Sequence, residues 1–160
     1  APSPPQSCPR RCDGLATAGH TESAPMPEAL PTLLFVCVEN SCRSQMAEGF
    51  ARSLGQGRVS VFSAGSNPSG QVDARAVQFM QEKGIDLTPQ RSKGFDDLPG
   101  LRWDCIVTMG CGDACPALPA ARRVDWVLPD PRNLSNDEFR AVRDRIGMLA
   151  SELMTTRRFR

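Results

Sequence analysis

The stretch that decides the fold covers residues 33–44 and reads LLFVCVENSCRS. Its first four residues are apolar and predict a buried strand, which ends at Cys37. A loop of five residues, 38–42, follows the cysteine, and Arg43 and Ser44 then open a predicted helix. Such a loop directs backbone N–H groups and the N-terminus of a helix at one point, where a tetrahedral oxyanion can bind. We call residues 38–42 the anion loop.

The same electrostatic field favours a thiolate on Cys37, and Arg43 adds a planar guanidinium suited to two oxyanion oxygens. The stretch therefore predicts a cysteine nucleophile in an anion-binding loop. The alternative is an inert cysteine that ends a core strand, with Arg43 in a surface salt bridge. We favour the nucleophile because the cysteine, the polar loop, the arginine and the start of the helix coincide.

The composition of the chain argues against several classes of function. A chain of 160 residues fits one domain, and a net charge of +1 supplies no large basic field for nucleic acid or an anionic membrane surface. No apolar stretch approaches the ~20 residues that span a bilayer. Seven cysteines cannot all pair within one chain, so we expect reactive thiols in a reducing cytoplasm rather than a disulfide framework.

The order of predicted elements indicates the fold class. Residues 1–31 are rich in Pro, Ser, Ala and Gly, which predicts a disordered leader before a folded domain over 32–160. Within the domain, helices follow the anion loop, Asp73 and Ser135, and strands are predicted over residues 32–38, 59–62, 103–109 and 124–128. This alternation predicts an α/β fold of three layers, a four-stranded parallel sheet with helices on both faces.

Polar candidates follow each predicted strand, at the edge where ligands gather in parallel sheets: Cys37, Ser63, Cys111 and Asp130. Asp130 stands between two prolines that hold it in place, and it could protonate a departing oxygen or simply form a turn. Cys105 lies inside an apolar strand and is interpreted as packing, whereas Cys42 could be an auxiliary thiol.

Cys111 and Cys115 lie four residues apart on a loop that contains glycine. A flexible loop lets two cysteines reach disulfide geometry, so this pair could resolve a sulfur intermediate and pass a disulfide to the surface. Two alternatives stay open, namely incidental loop cysteines and a zinc site shared with Cys8 and Cys12.

Residues 33–156 resemble the low-molecular-weight phosphotyrosine phosphatase fold, and specifically its thioredoxin-coupled arsenate reductase branch. The stretch NSCRSQMAEG, residues 40–49, carries the resemblance, and Gln45 stands where the phosphatases generally have proline. Three shorter motifs follow in the expected order: Ser63-Ala64-Gly65, Gly84-Ile85-Asp86 and Asp130-Pro131.

The resemblance implies a role for each matching residue. Cys37 attacks arsenate, Ser44 supports the thiolate, and Asp130 protonates the leaving oxygen. Cys111 then attacks the Cys37 adduct and releases arsenite, and Cys115 takes over the disulfide, which thioredoxin reduces. No bound cofactor is implied. The oxyanion oxygens are held by Arg43 and the anion loop: Val38, Glu39, Asn40, Ser41 and Cys42.

The sequence departs from the family pattern at three places. Glu39 replaces a glycine of the loop. The two resolving cysteines are closer together than usual, which keeps open a mycothiol route or a glutathione route with a glutaredoxin-like partner. Some members bind potassium beside the loop through an asparagine, a glutamate, a serine and an aspartate. Asn40, Glu48 and Ser63 match the first three, but Lys93 stands where the aspartate is expected, so we predict no metal and no potassium requirement.

Two other functions compete with arsenate reduction. A low-molecular-weight phosphatase acting on phosphate monoesters would use the same loop and the same acid. However, the chain contains no tyrosine, and Arg132 and Asn133 follow the Asp-Pro pair where phosphatases typically carry aromatic residues. The second rival is a non-enzymatic thiol protein that senses an oxyanion or a metal.

Overall fold

A computed structural model describes residues 28–110 and 115–156. The predicted leader over residues 1–31 lies largely outside this part of the chain, as do Cys8, Cys12 and Cys111, so these predictions stay predictions. Of the helices in the described ranges, none is long and apolar enough to cross a membrane.

Four parallel strands form one sheet in the order β2-β1-β3-β4. The strands are β1 (Thr32–Cys37), β2 (Ser60–Gly65), β3 (Trp103–Thr108) and β4 (Ala120–Asp125). The α-helices are α1 (Arg43–Gly55), α2 (Ala74–Gln81) and α3 (Asn136–Thr155). β1 lies inside the sheet, and its residues from Leu33 to Cys37 are all buried, as expected for a parallel strand that is covered on both faces.

The three α-helices pack on one face of the sheet in a single large core, in which Phe35, Met46, Phe79 and Ile146 are buried. The other face buries Leu34, Val36 and Trp103 beneath loops and one short 3-10 helix, Phe95–Asp97. The predicted α/β fold with a four-stranded parallel sheet is confirmed. In the described residues the α-helices lie on one face, and the second face carries loops and the 3-10 helix in place of the expected α-helix.

Local capping explains where the later helices begin. The Asp73 side chain accepts hydrogen bonds from the backbone N–H groups of Arg75 and Ala76 and so opens α2. Ser135 and Glu138 form a reciprocal capping box that opens α3. Both predicted N-caps are confirmed.

The predicted position of the fourth strand is wrong. The prediction placed it over the apolar residues 124–128, whereas β4 is the polar segment AARRVD, Ala120–Asp125. The strand lies at an edge of the sheet, where alternate residues stay exposed and an apolar run is not required. Trp126 instead packs beside Phe35, with ring centroids 5.5 Å apart, and Val127 is 92% exposed.

Candidate active site

Cys37 ends β1 and is buried at the base of the anion loop. Its Sγ lies 2.8 Å from the Ser44 Oγ and accepts a hydrogen bond from the Asn40 backbone N–H at 3.3 Å. These contacts fix the position of the sulfur beneath the loop.

A network of buried amides fixes the shape of the anion loop. Asn40 has a φ of +48°, in the left-handed region, and its Nδ2 donates to the Ser44 Oγ at 2.8 Å. The Gln45 Nε2 donates to the backbone O and to the Oδ1 of Asn40, at 3.0 and 2.9 Å. All three side chains are fully buried. The residues that turn the loop are therefore held by satisfied hydrogen bonds, which make its conformation specific.

Residues after β2 and after α2 support the backbone of the anion loop. The Val38 carbonyl accepts a hydrogen bond from the Asn67 N–H at 2.8 Å, and the Glu39 carbonyl accepts one from the Ser92 Oγ at 2.8 Å. Gly65 makes this close approach possible: a Cβ there would lie 2.5 Å from the Val38 O and 2.8 Å from the Asn40 N.

A cavity of about 260 Å³ opens above Cys37, at the carboxyl ends of β1, β3 and β4. Its lining contains the predicted nucleophile, arginine and acid, together with most of the anion loop: Cys37, Val38, Glu39, Ser41, Cys42, Arg43, Gly110, Asp130 and Arg132. Asn40 and Ser44 lie outside this lining and act on Cys37 through the hydrogen bonds given above. The structure thus brings Cys37, Arg43 and Asp130 to one cavity, as the sequence predicts.

Arg43 opens α1, and its Nη1 donates to the Leu128 carbonyl at 3.3 Å. Gly110, which follows β3, has a φ of +79°, and a Cβ there would meet the Arg43 Nη1 at 3.0 Å. The glycine therefore provides both the backbone conformation and the space that the guanidinium needs.

Asp130 is held by Arg132 on the side of the cavity opposite the anion loop. The Arg132 Nε and Nη2 both donate to one Asp130 oxygen, at 2.9 and 2.7 Å, and the Arg132 Nη1 donates to the Glu39 Oε1 at 2.6 Å. Partial burial favours a raised pKa for Asp130, but the hydrogen bonds and charge of Arg132, with a smaller effect of Arg43, hold that pKa below its ordinary value.

Arg75, on α2, anchors the backbone that follows Asp130. Its guanidinium donates to the carbonyls of Pro131, Arg132 and Leu134, at 2.8, 2.9 and 2.8 Å. It also lies 4.6 Å from the centre of the Phe139 ring, in a cation–π contact. We call residues 130–134, which this guanidinium holds, the acid turn.

Three of the described cysteines are free thiols, and the fourth is disulfide-bonded. Cys37 and Cys105 are free thiols, and Cys105 is fully buried in β3, where it packs. Cys42 is also free; burial, with smaller effects of Asp73 and Cys37, raises its pKa and keeps it a neutral thiol. Cys115 is disulfide-bonded. Within residues 28–110 and 115–156, no group of three or more potential ligands is arranged to hold a metal ion.

Ser63 does not join the cavity, contrary to the expectation that it lies there with Cys37. It lies inside β2, and its Oγ donates to the Glu48 Oε2 and accepts from the Lys93 Nζ at 3.3 Å. The Lys93 Nζ also lies 3.7 Å from that carboxylate, which Arg52 binds from its other side at 2.7 Å. Ser63 therefore belongs to a buried charge cluster behind the loop.

Sequence reasoning did not assign four residues that shape the site: Gly110, Arg132, Gln45 and Arg75. Gly110 and Gln45 each lie next to an assigned residue, and Arg132 lies two residues after Asp130, so proximity along the chain was an available signal. Arg75 reaches a turn 56 to 59 residues away, and no local pattern in the sequence indicates that contact.

Comparisons with known proteins agree with this arrangement. The model of the low molecular weight phosphotyrosine protein phosphatase family matches residues 32–158. A glutaredoxin arsenate reductase from Synechocystis is 39% identical over 117 residues, which cover 71% of this chain and 88% of that protein. A solved structure of an arsenate reductase in the phosphate binding state superposes with a TM-score of 0.71 at 36% identity, covering 79% of this chain and 98% of the other.

A second solved structure, the thioredoxin-dependent arsenate reductase of Corynebacterium glutamicum, has a TM-score of 0.63 at 28% identity. The match covers 79% of this chain and 60% of that one. The family match extends over nearly all of the chain that follows the predicted leader, and it contains the strand, loop and acid turn that build the cavity. The chain belongs to the low molecular weight phosphotyrosine protein phosphatase family.

Proposed function

We propose that this protein reduces arsenate to arsenite, with Cys37 as the nucleophile and with Cys111 and Cys115 as a thiol–disulfide relay. The observation that carries the proposal is the position of the Cys37 sulfur, bound by Ser44 and Asn40 beneath a cavity that Arg43 and Asp130 line. The names of the relatives support arsenate as the substrate.

The first step is nucleophilic attack on arsenic. The Cys37 thiolate forms a sulfur–arsenic bond, and one arsenic–oxygen bond breaks. Arg43 and the backbone N–H groups of the anion loop balance the charge of the remaining oxygens. Asp130 supplies a proton, so that the departing oxygen leaves as water.

The second step transfers two electrons to arsenic. The Cys111 thiolate attacks the Cys37 sulfur, the sulfur–arsenic bond breaks, and its electron pair stays on arsenic, which leaves as arsenite. Cys115 then attacks the Cys111 sulfur and releases the Cys37 thiolate. The disulfide at Cys115 supports this role, because the proposed cycle ends with that cysteine oxidised.

An external thiol must reduce the final disulfide. We propose thioredoxin, with a glutaredoxin-like protein and a low-molecular-weight thiol as the alternative, since relatives of both kinds occur. The proposed setting is the cytoplasm, where thiols stay reduced, and the proposed role is arsenic detoxification.

The test is arsenate-dependent oxidation of NADPH in the presence of thioredoxin and its reductase. We expect turnover by the wild type and its loss in Cys37→Ser, Cys111→Ser and Cys115→Ser. Cys105→Ala is the matched control, because that thiol is buried in β3 and lies outside the cavity. If turnover occurs only with glutaredoxin and a low-molecular-weight thiol, these reductants, and not thioredoxin, are the electron donors. No arsenite in either system would contradict the proposal.

Phosphate monoester hydrolysis is a second candidate, because the family match and the cavity both suit a phosphoryl group. This reaction uses Cys37 and Asp130 but needs no relay. Hydrolysis of 4-nitrophenyl phosphate that persists in Cys111→Ser and Cys115→Ser, without any reduction of arsenate by the wild type, would make the protein a phosphatase.

A further inference from the structure

An ion pair joins the two sides of the cavity. The Glu39 carboxylate comes from the anion loop and the Arg132 guanidinium from the acid turn, and their closest atoms are 2.6 Å apart. Both side chains line the cavity, although they lie 93 residues apart in the sequence. The remaining donors of Arg132 bind Asp130, so the guanidinium fills the space between the two carboxylates.

Both ends of this contact rest on backbone that other residues hold. The Glu39 carbonyl accepts hydrogen bonds from the Ser92 Oγ and the Ser69 N–H, at 2.8 and 3.1 Å. The Arg132 carbonyl accepts one from Arg75 at 2.9 Å. These hydrogen bonds fix the backbone at both residues, so the two side chains lose less conformational freedom when they form the ion pair.

We propose that the Glu39–Arg132 ion pair determines specificity by closing one side of the cavity, so that the site prefers a small inorganic oxyanion to organic phosphates and phosphonates. This inference rests on the proposed function, because it names the class of anion that the same site selects. It assigns a role to the residue that departs from the family loop at position 39.

The chemistry of the lining supports this selection. An organic group attached to a bound oxyanion has to leave the cavity past its rim, and between the anion loop and the acid turn the rim is the ion pair. Val38 is the one aliphatic side chain among the described lining residues, and no aromatic ring lies there. An organic group would therefore separate two charges and gain little apolar contact in return.

The contribution of the pair to folding is expected to be small. The Arg132 side chain is 54% exposed and that of Glu39 is 33% exposed, and such ion pairs stabilise proteins little. Thermal stability is therefore a poor measure of the role of the pair. The ratio of the affinities for an inorganic and an organic anion measures directly which anion the site prefers. A charge change at either residue alters the affinity for every anion, and that common factor cancels in the ratio.

The experiment measures dissociation constants for inorganic phosphate and for phenylphosphonate by calorimetry. Neither ligand reacts with Cys37, so binding is separated from turnover. The proteins are the wild type, Glu39→Ala, Arg132→Ala and the double variant, with Glu39→Gln as the control that keeps the size of the side chain and a hydrogen bond to Arg132. Circular dichroism checks that each variant folds.

We expect the wild type to prefer phosphate, and each alanine variant to lose about tenfold of that preference. The double variant should lose no more than the larger single effect, since both substitutions open the same gap. Glu39→Gln, which keeps the contact but not the charge, should lose less of the preference than Glu39→Ala. Equal ratios in all variants, or single effects that multiply in the double variant, would overturn the inference.

The same measurements keep the two proposals distinct. A wild type that prefers phosphate but never reduces arsenate contradicts the proposed function and leaves the inference standing. A wild type that reduces arsenate and binds phenylphosphonate as well as phosphate contradicts the inference alone. A wild type that binds neither ligand contradicts both.

Discussion

The two sides of the cavity are built from different interactions. On the anion-loop side, Asn40, Ser44 and Gln45 are fully buried and hold one another through neutral hydrogen bonds. On the acid-turn side, Asp130 and Arg132 are partly exposed and are held by charge. The first side is rigid because each buried polar group has a partner that it would lose on moving. The interactions of the second side are expected to weaken or strengthen with pH, salt concentration and substrate binding, because they are partly exposed ion pairs.

In the proposed mechanism, the first side binds the anion and the second side transfers the proton. The anion loop must present its donors in one geometry, and a fixed hydrogen-bond network achieves that before the substrate arrives. In the proposed mechanism Asp130 must change its protonation state during the cycle, which a partly exposed carboxylate permits. Substitutions on the buried side should therefore have larger effects than those on the charged side.

Gly65→Ala should have the largest effect, since it pushes on the buried side directly. The new Cβ would lie within 2.8 Å of two backbone atoms of the anion loop, and neither can move without displacing the donor to Cys37. We expect a loss of about a hundredfold in kcat/KM for 4-nitrophenyl phosphate. The free energy of unfolding should fall by about 1–3 kcal/mol, measured by urea denaturation.

Gly100→Ala is the control for this substitution, because a Cβ at Gly100 meets nothing within 4 Å and its φ is not positive. It should retain wild-type activity and stability. Equal behaviour of the two alanine variants would contradict the close packing of β2 against the anion loop.

Arg75→Met should have an intermediate effect confined to the acid turn. The substitution removes three hydrogen bonds to backbone carbonyls and leaves the anion loop untouched. We expect kcat to fall about tenfold, while the inhibition constant for inorganic phosphate stays near its wild-type value. A parallel loss in both quantities would show that the two sides are not independent.

Arg140→Met is the matched control for Arg75→Met. Arg140 also lies over a phenylalanine ring, 4.4 Å from the centre of Phe79, but its ion pairs go to Glu82 and Asp137 rather than to the acid turn. It should lose some stability and keep its kcat.

The two sides also differed in how far the sequence predicts them. Cys37, Arg43 and the helix start are close in the chain, and the physics that joins them is local, so the loop and its donors could be predicted. The position of Asp130 at the same edge followed from the parallel sheet. The Glu39–Arg132 contact spans 93 residues and the contacts of Arg75 span up to 59, so these contacts form only once the chain has folded.

The wrong fourth strand and the misplaced Ser63 have related causes. The prediction of β4 rests on an apolar run, whereas β4 is an edge strand that needs none. The buried apolar residues near it, Trp126 and Leu128, belong to the following loop. β2 extends three residues further than predicted, so Ser63 lies inside the strand and contacts Glu48 on α1. Apolar patterning predicts burial well, and it predicts the ends of strands poorly.

Arg132→Gln should change the pH profile more than the rate at the optimum. Arg132 holds the pKa of Asp130 below its ordinary value, so its removal raises that pKa; Arg43 remains, and the freed Glu39 carboxylate acts in the same upward direction. A general acid works while protonated, and activity falls as the pH rises through its pKa. The alkaline limb of kcat for 4-nitrophenyl phosphate should therefore move upward, by about one pH unit at most.

Asp130→Asn is the control for that profile, because it should abolish the limb altogether. If Arg132→Gln leaves the limb in place while Asp130→Asn removes it, Arg132 does not govern the protonation of the acid, and its bonds to Asp130 serve position alone.

The smallest expected effect is that of potassium. The Lys93 ammonium lies 3.7 Å from the Glu48 Oε2 and 3.3 Å from the Ser63 Oγ, two of the positions at which the family resemblance implies potassium ligands. A fixed cation already balances the buried carboxylate, so exchanging sodium for potassium at constant ionic strength should leave kcat/KM unchanged.

Lys93→Asp should create activation by potassium, whereas Lys83→Asp, at an exposed ion pair with Asp144, should not. Strong activation of the wild type by potassium would refute this prediction, because the ion would then have to bind beside an ammonium that occupies its position.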